Sequence, residues 1–239
     1  MTMNLYDGCF AEIDRLLDGH TPRTKEGFPV WEDAGQNQIL FRSDTAYELG
    51  GKNLPAVSSV IFTDDAGKVG RDEVFLYGPD LPEIKADSPY ARIAMIRVNS
   101  ETIGSGEKLY SAIRKIEYTR YHINPDGYMM RISAMTQREC VRIGSRALEA
   151  GLSFFGVGRL FVDAYRKHKD VENVKLIFIT EPGFPYGKLM DVAKRSENIT
   201  KALDHLVNKL KMDCDICRLK DICSEVEELY KKDFGNQGT

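Results

Sequence analysis

The spacing of hydrophobic positions changes along the chain, from short β-type runs in its first half to helical periods in its second half. The segment 4–18 carries leucine and isoleucine at helical spacing among charged residues, which predicts an amphipathic opening helix. A long polar connection over 19–38 follows, and it contains the only tryptophan, Trp31.

Several runs rich in β-branched and aromatic residues come next. They are NQILFRS (37–43), TAYELG (45–50), VSSVIF (57–62) and EVFLYG (73–78). Asp64-Asp65-Ala66-Gly67 is expected to form a turn between the last two, so these runs predict an antiparallel block. The run ARIAMIRV (91–98) alternates apolar residues with arginines, which predicts a strand that is buried on one face only.

Helical spacing dominates the second half of the chain. The segment 107–123 predicts a long amphipathic helix that ends at the turn NPDG, and YMMRISA (128–134) predicts a strand. Thr136-Gln137-Arg138-Glu139 has the form of a capping box and predicts a helix through Ala150, stopped by Gly151. Further helices are expected over 156–167 and from after Pro185 to about Lys211, with an apolar strand at 174–179 between them.

This order of elements predicts the fold class and the domain organisation. Strands come before helices without strict βαβ alternation, which favours an α+β fold with a mixed or antiparallel sheet covered by amphipathic helices. The chain is expected to divide into an α+β domain at 1–210 and a cysteine-rich helical tail at 211–239, which binds a metal or a cluster.

The composition narrows the class of protein. With 239 residues, of which 42% are hydrophobic, the chain can bury a sizeable core. A formal net charge of −3 favours neither a nucleic-acid surface nor a polybasic membrane anchor. There is no apolar run of roughly 18 residues and no signal-peptide pattern, so we expect a cytoplasmic protein. In that compartment the five cysteines are expected to serve metal binding, redox chemistry or burial.

Three of the five cysteines fall within ten residues, at Cys214, Cys217 and Cys223. Thiolates at this C-x2-C-x5-C spacing can converge on a soft metal ion or an iron-sulfur cluster, because a short loop wraps the third ligand around the same centre. The alternative is three buried or free thiols. The uneven distribution favours a metal site, and these three residues are its predicted ligands.

A fourth ligand is missing from this cysteine run. Cys9, Cys140, a histidine, a partner protein or an exogenous molecule could supply it. Zinc requires a fourth nitrogen or sulfur, for which His205 is the nearest candidate, although its spacing is not that of a zinc finger. An iron-sulfur cluster tolerates an open iron, so we favour a cluster of the [4Fe-4S] type and keep zinc as the alternative.

Arginines are denser in the second half of the chain than the average charge predicts. The set is Arg131, Arg138, Arg142, Arg146 and Arg159. These residues form either a solvated helix face or a site for a phosphorylated small molecule, since guanidinium groups pair well with phosphate oxygens. The neighbouring Gly156-Val157-Gly158-Arg159 lacks the rest of a phosphate-binding fingerprint and predicts a tight turn between two helices.

A series of segments in this order resembles the middle domain of acetyl-CoA synthase, the β subunit of the carbon monoxide dehydrogenase/acetyl-CoA synthase complex. The segments are TAYELGG, YGPDLPEI, PYARIAMIRV, RKIEYTRYH followed by NPDG, VRIGSRALEAGL and NVKLIFIT. The resemblance covers roughly Thr45 to Cys223. It implies an iron-sulfur protein of one-carbon metabolism in an anaerobe, working with carbon monoxide dehydrogenase or a corrinoid iron-sulfur protein as partner.

The resemblance also assigns residues. Cys214, Cys217 and Cys223 match the first three cluster ligands of the family, at a shorter second spacing. The fourth cluster cysteine and the Cys-Gly-Cys ligand of the distal nickel have no counterpart here. Acyltransferase chemistry is therefore expected only with partner subunits, and the chain's own status as an enzyme stays open.

Coenzyme A (CoA) is a further ligand that the resemblance implies. In the family, arginines around a tryptophan that follows a glycine are linked to CoA binding. The corresponding stretch here is Gly127-Tyr128-Met129-Met130-Arg131, with methionine in place of the tryptophan. Arg131, Arg138 and Arg142 are the implied phosphate contacts. The alternative function is a zinc-binding structural or regulatory interaction module without catalysis.

Overall fold

The computed structural model describes residues 3–27, 30–35, 38–133, 136–209, 217 and 219–234. Within these ranges the chain forms two β-sheets and a set of packed helices, which confirms the α+β class. None of the helices in these ranges combines the length and the apolar character needed to cross a membrane.

The larger sheet is mixed and has four strands. Its order is β2 (Ala56–Thr63), β4 (Tyr90–Val98), β7 (Val171–Ile179) and β3 (Glu73–Tyr77). β2 is parallel to β4, β4 is antiparallel to β7, and β7 is parallel to β3. The expected hairpin between β2 and β3 is therefore wrong. These strands lie at opposite edges of the sheet because β4 and β7 lie between them.

The smaller sheet has three antiparallel strands. β6 (Arg138–Gly144) is central and pairs with β1 (Thr45–Leu49) on one side and β5 (Tyr128–Ser133) on the other. β6 also packs against β2 and β4, so the two sheets share one hydrophobic core. The predicted strand NQILFRS does not form in its described part, where the chain is irregular over 38–41 and then enters a 3-10 helix, Arg42–Asp44.

The capping box predicted at Thr136 is not a helix start. Thr136 and Gln137 lie in a turn before β6, and Gln137 has a left-handed backbone with φ of 52°. The helix that follows is only the short α3 (Ser145–Glu149). The residues of β6 alternate between buried and partly buried, which is the period of a strand, and pairing with two neighbours decides the conformation.

The strand predicted from ARIAMIRV is present as β4, but it is buried on both faces. Arg92 has 0% exposure and contacts Glu139 of β6, so one of the arginines that suggested a solvent-facing side lies in the core. On the opposite face of the mixed sheet, Ser59 of β2 and Ser196 of a covering helix join through a hydroxyl contact of 2.9 Å.

Five longer helices cover the sheets and lie where helical periods occur in the sequence. They are α1 (Asp7–Leu17), α2 (Gly106–Tyr118), α4 (Phe154–Arg166), α5 (Tyr186–Val207) and α6 (Lys220–Phe234). α1, α2 and α6 all pack on α5, while α4 packs on β7 and β3. The predicted boundary between domains at 210/211 lies outside the described residues.

Gly156 and Gly158 lie inside α4, so the predicted tight turn between two helices is wrong. A Cβ atom on Gly158 would lie 2.7 Å from Cγ1 of Val74 and 3.2 Å from Phe178. Glycine is required here because α4 approaches the mixed sheet more closely than any side chain at this position allows.

Candidate functional site

The described cysteines of the C-terminal run lie at the start of α6. Cys217 precedes the helix, and its carbonyl oxygen accepts a hydrogen bond of 3.3 Å from the Lys220 amide. Cys223 lies in the first turn, where its amide donates to the Leu219 carbonyl at 2.7 Å. Both side chains are partly buried. Cys214 lies outside the described residues.

Helix α6 is fixed to the rest of the protein by polar and apolar contacts. Arg195 Nη2 of α5 donates to both carboxylate oxygens of Glu225, at 2.6 and 2.7 Å. Asn4 donates its amide and its side-chain nitrogen to Asp233, each at 2.9 Å. Val226 has 1% exposure. These contacts give Cys223 a defined position against the core.

The structure places the candidate fourth ligands in different regions. Cys9 is buried in α1, and it lines a cavity of about 500 Å³ together with Ile222, the neighbour of Cys223. Burial raises the pKa of Cys9 to about 11, which favours the protonated thiol. Cys140 lies on the smaller sheet, where its Sγ atom contacts the Gly50 carbonyl at 2.9 Å. His205 is partly buried in the last turn of α5.

No preformed metal site is visible in the part of the chain that the structure describes. Among those residues, no three side chains of His, Cys, Asp or Glu lie close enough together to hold an ion. Since Cys214 is outside this part, the complete cysteine triplet stays a prediction.

A cleft of about 420 Å³ lies on the outer face of the smaller sheet and gathers two of the predicted arginines. Its charged lining is Arg42, Glu48, Lys52, Asp87, Arg131 and Arg142. These are four basic and two acidic side chains, so the cleft is positive although the whole chain is not. A cleft of this charge favours an anionic ligand.

Glu48 organises the arginines of this cleft. The register of β1 and β6 sets Glu48 opposite Arg142, and their Oε1 and Nε atoms lie 2.6 Å apart. Arg131 Nη2 on β5 lies 3.7 Å from the same carboxylate oxygen. Across the cleft Lys52 pairs with Asp87 at 3.0 Å, and the amide of Glu48 lowers the pKa of Asp87 by hydrogen bonding to it. The arginines are therefore oriented before any ligand arrives.

Arg138 has a different role from Arg131 and Arg142. Its Nη2 atom donates to the carbonyl oxygens of Gly50 and Leu54, each at 3.2 Å, so it holds the loop between β1 and β2. It does not line the cleft.

The remaining predicted arginines lie elsewhere. Arg159 pairs with Asp163 along α4 at 2.9 Å, and Arg146 is exposed on α3. The dense group of five arginines in the sequence is therefore not one patch in space.

An aromatic side chain lies beside the Gly127 stretch, but it comes from a distant part of the sequence. Trp31 Nε1 donates to the carbonyl of Asp126 at 2.7 Å, and Gln38 Nε2 donates to the side chain of Asp126 at the same distance. Met129 lies in the stretch where the resemblance implies a tryptophan, and its Sδ atom accepts a hydrogen bond of 3.2 Å from the Leu40 amide. The sequence alone gives no signal for this approach of Trp31.

A larger groove of about 870 Å³ was not predicted from the sequence. It lies between α2, α4 and the end of α5, where Arg114, Lys115, Tyr118, Lys167 and Asn208 are among its lining residues. Arg114 lies over the Tyr118 ring, at 5.3 Å from its centroid. Arg114 also pairs with Glu117 at 2.7 Å, so its charge is already partnered.

No protein-family model and no curated protein matches this chain. The resemblance to acetyl-CoA synthase therefore depends on the sequence segments that carry it.

Proposed function

We propose that this chain is an acetyl-CoA synthase-like iron-sulfur protein of carbon monoxide and acetyl-CoA metabolism. The observation that carries the proposal is the cysteine run at the start of α6. Cys217 and Cys223 flank the positive end of a helix that is anchored to the core, and Cys214 lies three residues before Cys217 in the sequence. These three thiolates are the proposed ligands of a [4Fe-4S] cluster.

The protonation of the cysteines bears on which of them can be ligands. A cluster ligand must be deprotonated when the cluster binds. Burial raises the pKa of Cys9 to about 11, which disfavours its thiolate. Three cysteine ligands with one open iron therefore agree better with this chain than a fourth thiolate from Cys9.

The second element of the proposal is a phosphate site for CoA in the cleft of the smaller sheet. Arg131 and Arg142 are the contacting groups, because both lie beside Glu48 and both line the cleft. Arg138 acts as a positioning residue, since it holds the loop that carries Lys52. Acyl transfer by this assembly would require partner subunits of the carbon monoxide dehydrogenase or corrinoid protein class.

Anaerobic purification with iron and sulfide analysis tests the cluster. After reconstitution, the protein should contain about four irons and show visible absorbance that dithionite bleaches. Cys217→Ser and Cys223→Ser should each lose most of the iron, whereas the matched control Cys140→Ser should retain it. A colourless, iron-free protein would refute the cluster. Tight stoichiometric zinc would favour the interaction module instead.

Calorimetry with CoA and 3′-dephospho-CoA tests the phosphate site. Arg131→Ala should weaken CoA binding by about tenfold, because one charge-assisted contact to a phosphate is lost. Arg159→Ala is the control, since Arg159 pairs with Asp163 on α4 and does not line the cleft. Equal affinities of the wild type and Arg131→Ala, or no heat with CoA at all, would contradict this part of the proposal.

A further inference from the structure

Glu48 is an acidic side chain inside the positive cleft of the smaller sheet. Its side chain is 21% exposed, and its Oε1 atom lies 2.6 Å from Arg142 Nε and 3.7 Å from Arg131 Nη2. One carboxylate oxygen therefore faces both guanidinium groups that are proposed to contact a phosphate. An anionic ligand that enters the cleft must compete with Glu48 for these groups.

The backbone of Glu48 is held independently of its carboxylate. The Glu48 amide donates to Asp87 Oδ1 at 2.8 Å, and the Glu48 carbonyl accepts from the Ser88 amide at 3.1 Å. Arg142 has a second contact as well, because its Nη1 atom donates to the Leu40 carbonyl at 3.3 Å. The carboxylate can therefore turn away from Arg142 while strand β1 and the guanidinium keep their positions.

Gly51 provides the space that this carboxylate occupies. A Cβ atom on Gly51 would lie 2.5 Å from Glu48 Oε2 and 3.0 Å from Glu48 Cβ. The backbone of Gly51 is not in the left-handed region, so an alanine could adopt its conformation. The glycine is therefore needed here for the room that it leaves beside Glu48.

The charges of the cleft indicate which anion it suits. Two carboxylates, Glu48 and Asp87, face four basic side chains. Lys52 pairs with Asp87 at 3.0 Å, whereas Arg42 forms no ion pair with a described residue. The cleft therefore has an excess of two positive charges. A phosphate monoester carries about 1.5 to 2 negative charges at neutral pH, and a diester carries only about one.

We propose that Glu48 is a built-in competitor in this cleft and that a terminal phosphate group displaces its carboxylate from Arg142 and Arg131. The phosphate oxygens then accept from these two arginines and from Arg42, while Glu48 turns towards solvent. This inference rests on the phosphate site proposed above for CoA, and it assigns that site to a phosphate monoester. The cleft of about 420 Å³ leaves room for the group that carries the phosphate.

NMR titration of the full chain with methyl phosphate and dimethyl phosphate, at neutral pH and constant ionic strength, tests the competition. The wild type should bind methyl phosphate at least about fivefold more tightly than dimethyl phosphate, because the monoester carries more charge. Glu48→Gln should bind methyl phosphate about fivefold more tightly than the wild type, since both arginines lose their competitor. Glu83→Gln is the matched control and should bind like the wild type, because Glu83 pairs with Arg23 outside the cleft.

Gly51→Ala tests the same idea without a change of charge, and it serves if Glu48→Gln does not fold. Its added methyl group would push the Glu48 carboxylate away from Arg142, so methyl phosphate should bind more tightly, by less than in Glu48→Gln. Unchanged or weaker binding of methyl phosphate in Glu48→Gln would overturn the proposal, because Glu48 would then only orient the arginines. Equal affinity of the wild type for the two phosphates would overturn the assignment to a monoester.

Titration of the same variants with CoA separates this inference from the proposed function. If Glu48→Gln tightens the binding of methyl phosphate and CoA does not bind, the competition is supported and the CoA site is wrong. If CoA binds the wild type and Glu48→Gln with equal affinity, the CoA site is supported and the competition is wrong. Absence of methyl phosphate binding to every variant would overturn the inference.

Discussion

The ion pair between Arg92 and Glu139 gives the sharpest test of how the two sheets are joined. Arg92 lies on β4 of the mixed sheet and Glu139 on β6 of the smaller sheet, and both side chains have 0% exposure. The Tyr90 hydroxyl donates to Glu139 Oε1 at 3.1 Å and lies 2.7 Å from the Tyr128 hydroxyl. The Phe161 ring packs on the Arg92 guanidinium, and Cζ of Arg92 lies 4.2 Å from the ring centroid.

Glu139→Gln is the informative change, because it keeps the shape of the side chain and removes its charge. The substitution leaves Arg92 buried without a counter-charge, and breaking a buried pair on one side costs about 3–5 kcal/mol. For a chain of this size, that loss corresponds to a decrease in melting temperature of about 6–20 °C. An exposed pair is worth at most about 1 kcal/mol.

Chemical and thermal unfolding measures this cost. Glu83→Gln is the matched control, since Glu83 is 49% exposed and pairs with Arg23 on the surface. The double variant Arg92→Met/Glu139→Gln should lose less stability than the sum of the single variants, because it leaves no unpaired charge. The reasoning is refuted if Glu139→Gln costs no more than Glu83→Gln, or if the two buried changes are additive.

Three further predictions follow from other parts of the fold. Gly158→Ala should cost about 1–3 kcal/mol of folding free energy, because its Cβ would lie 2.7 Å from Val74. Gly187→Ala is the control and should not destabilise the protein, because no atom lies within 4 Å of its Cβ. Equal unfolding curves for the two variants would contradict this prediction. Burial lowers the pKa of His168 below 6.5, so the folded state binds its proton less readily than the unfolded chain. The free energy of unfolding should therefore decrease as the pH falls below 6.5. Calorimetry of His168→Asn should show a weaker dependence of stability on pH in this range, and the same dependence as in the wild type would count against the prediction. Cys9, with a pKa of about 11, should be alkylated at about pH 8 at least a hundredfold more slowly in the native protein than in urea, and mass spectrometry of its peptide measures the two rates. Similar rates would mean that Cys9 is accessible.

Helices were predictable from the sequence because each has one apolar side that packs against the core. α2, α4 and α5 lie close to the segments where the helical period occurs. The prediction over 107–123 was too long by its last few residues, since the chain tightens into the 3-10 helix Thr119–Tyr121 after α2. The end of a helix depends on local turns that periodicity does not resolve.

The strand β6 was missed because its inward face contains a charged residue. Glu139, Val141 and Ile143 alternate along β6 and are all buried, but an isolated glutamate suggests a solvent-facing position. Glu139 belongs to the core only because Arg92 lies opposite it on the other sheet. A contact between residues 47 positions apart leaves no trace in local periodicity.

The candidate site was predictable in part. The spacing of the cysteines is a local pattern, so the thiolate run could be found from the sequence, and its position at the start of α6 could not. Arg131 and Arg142 could be named as candidates, but their meeting at Glu48 depends on the register of three strands. The approach of Trp31 to Asp126 arises from tertiary packing alone.

One experiment tests the central proposal most directly, namely elemental analysis of anaerobically purified and reconstituted protein, combined with EPR and Mössbauer spectra. The account predicts about four irons and four sulfides per chain and the signals of a [4Fe-4S] cluster. It also predicts that a change of Cys217 or Cys223 to serine removes these signals. Protein that contains no iron, or that binds one zinc ion tightly in its place, would contradict the account.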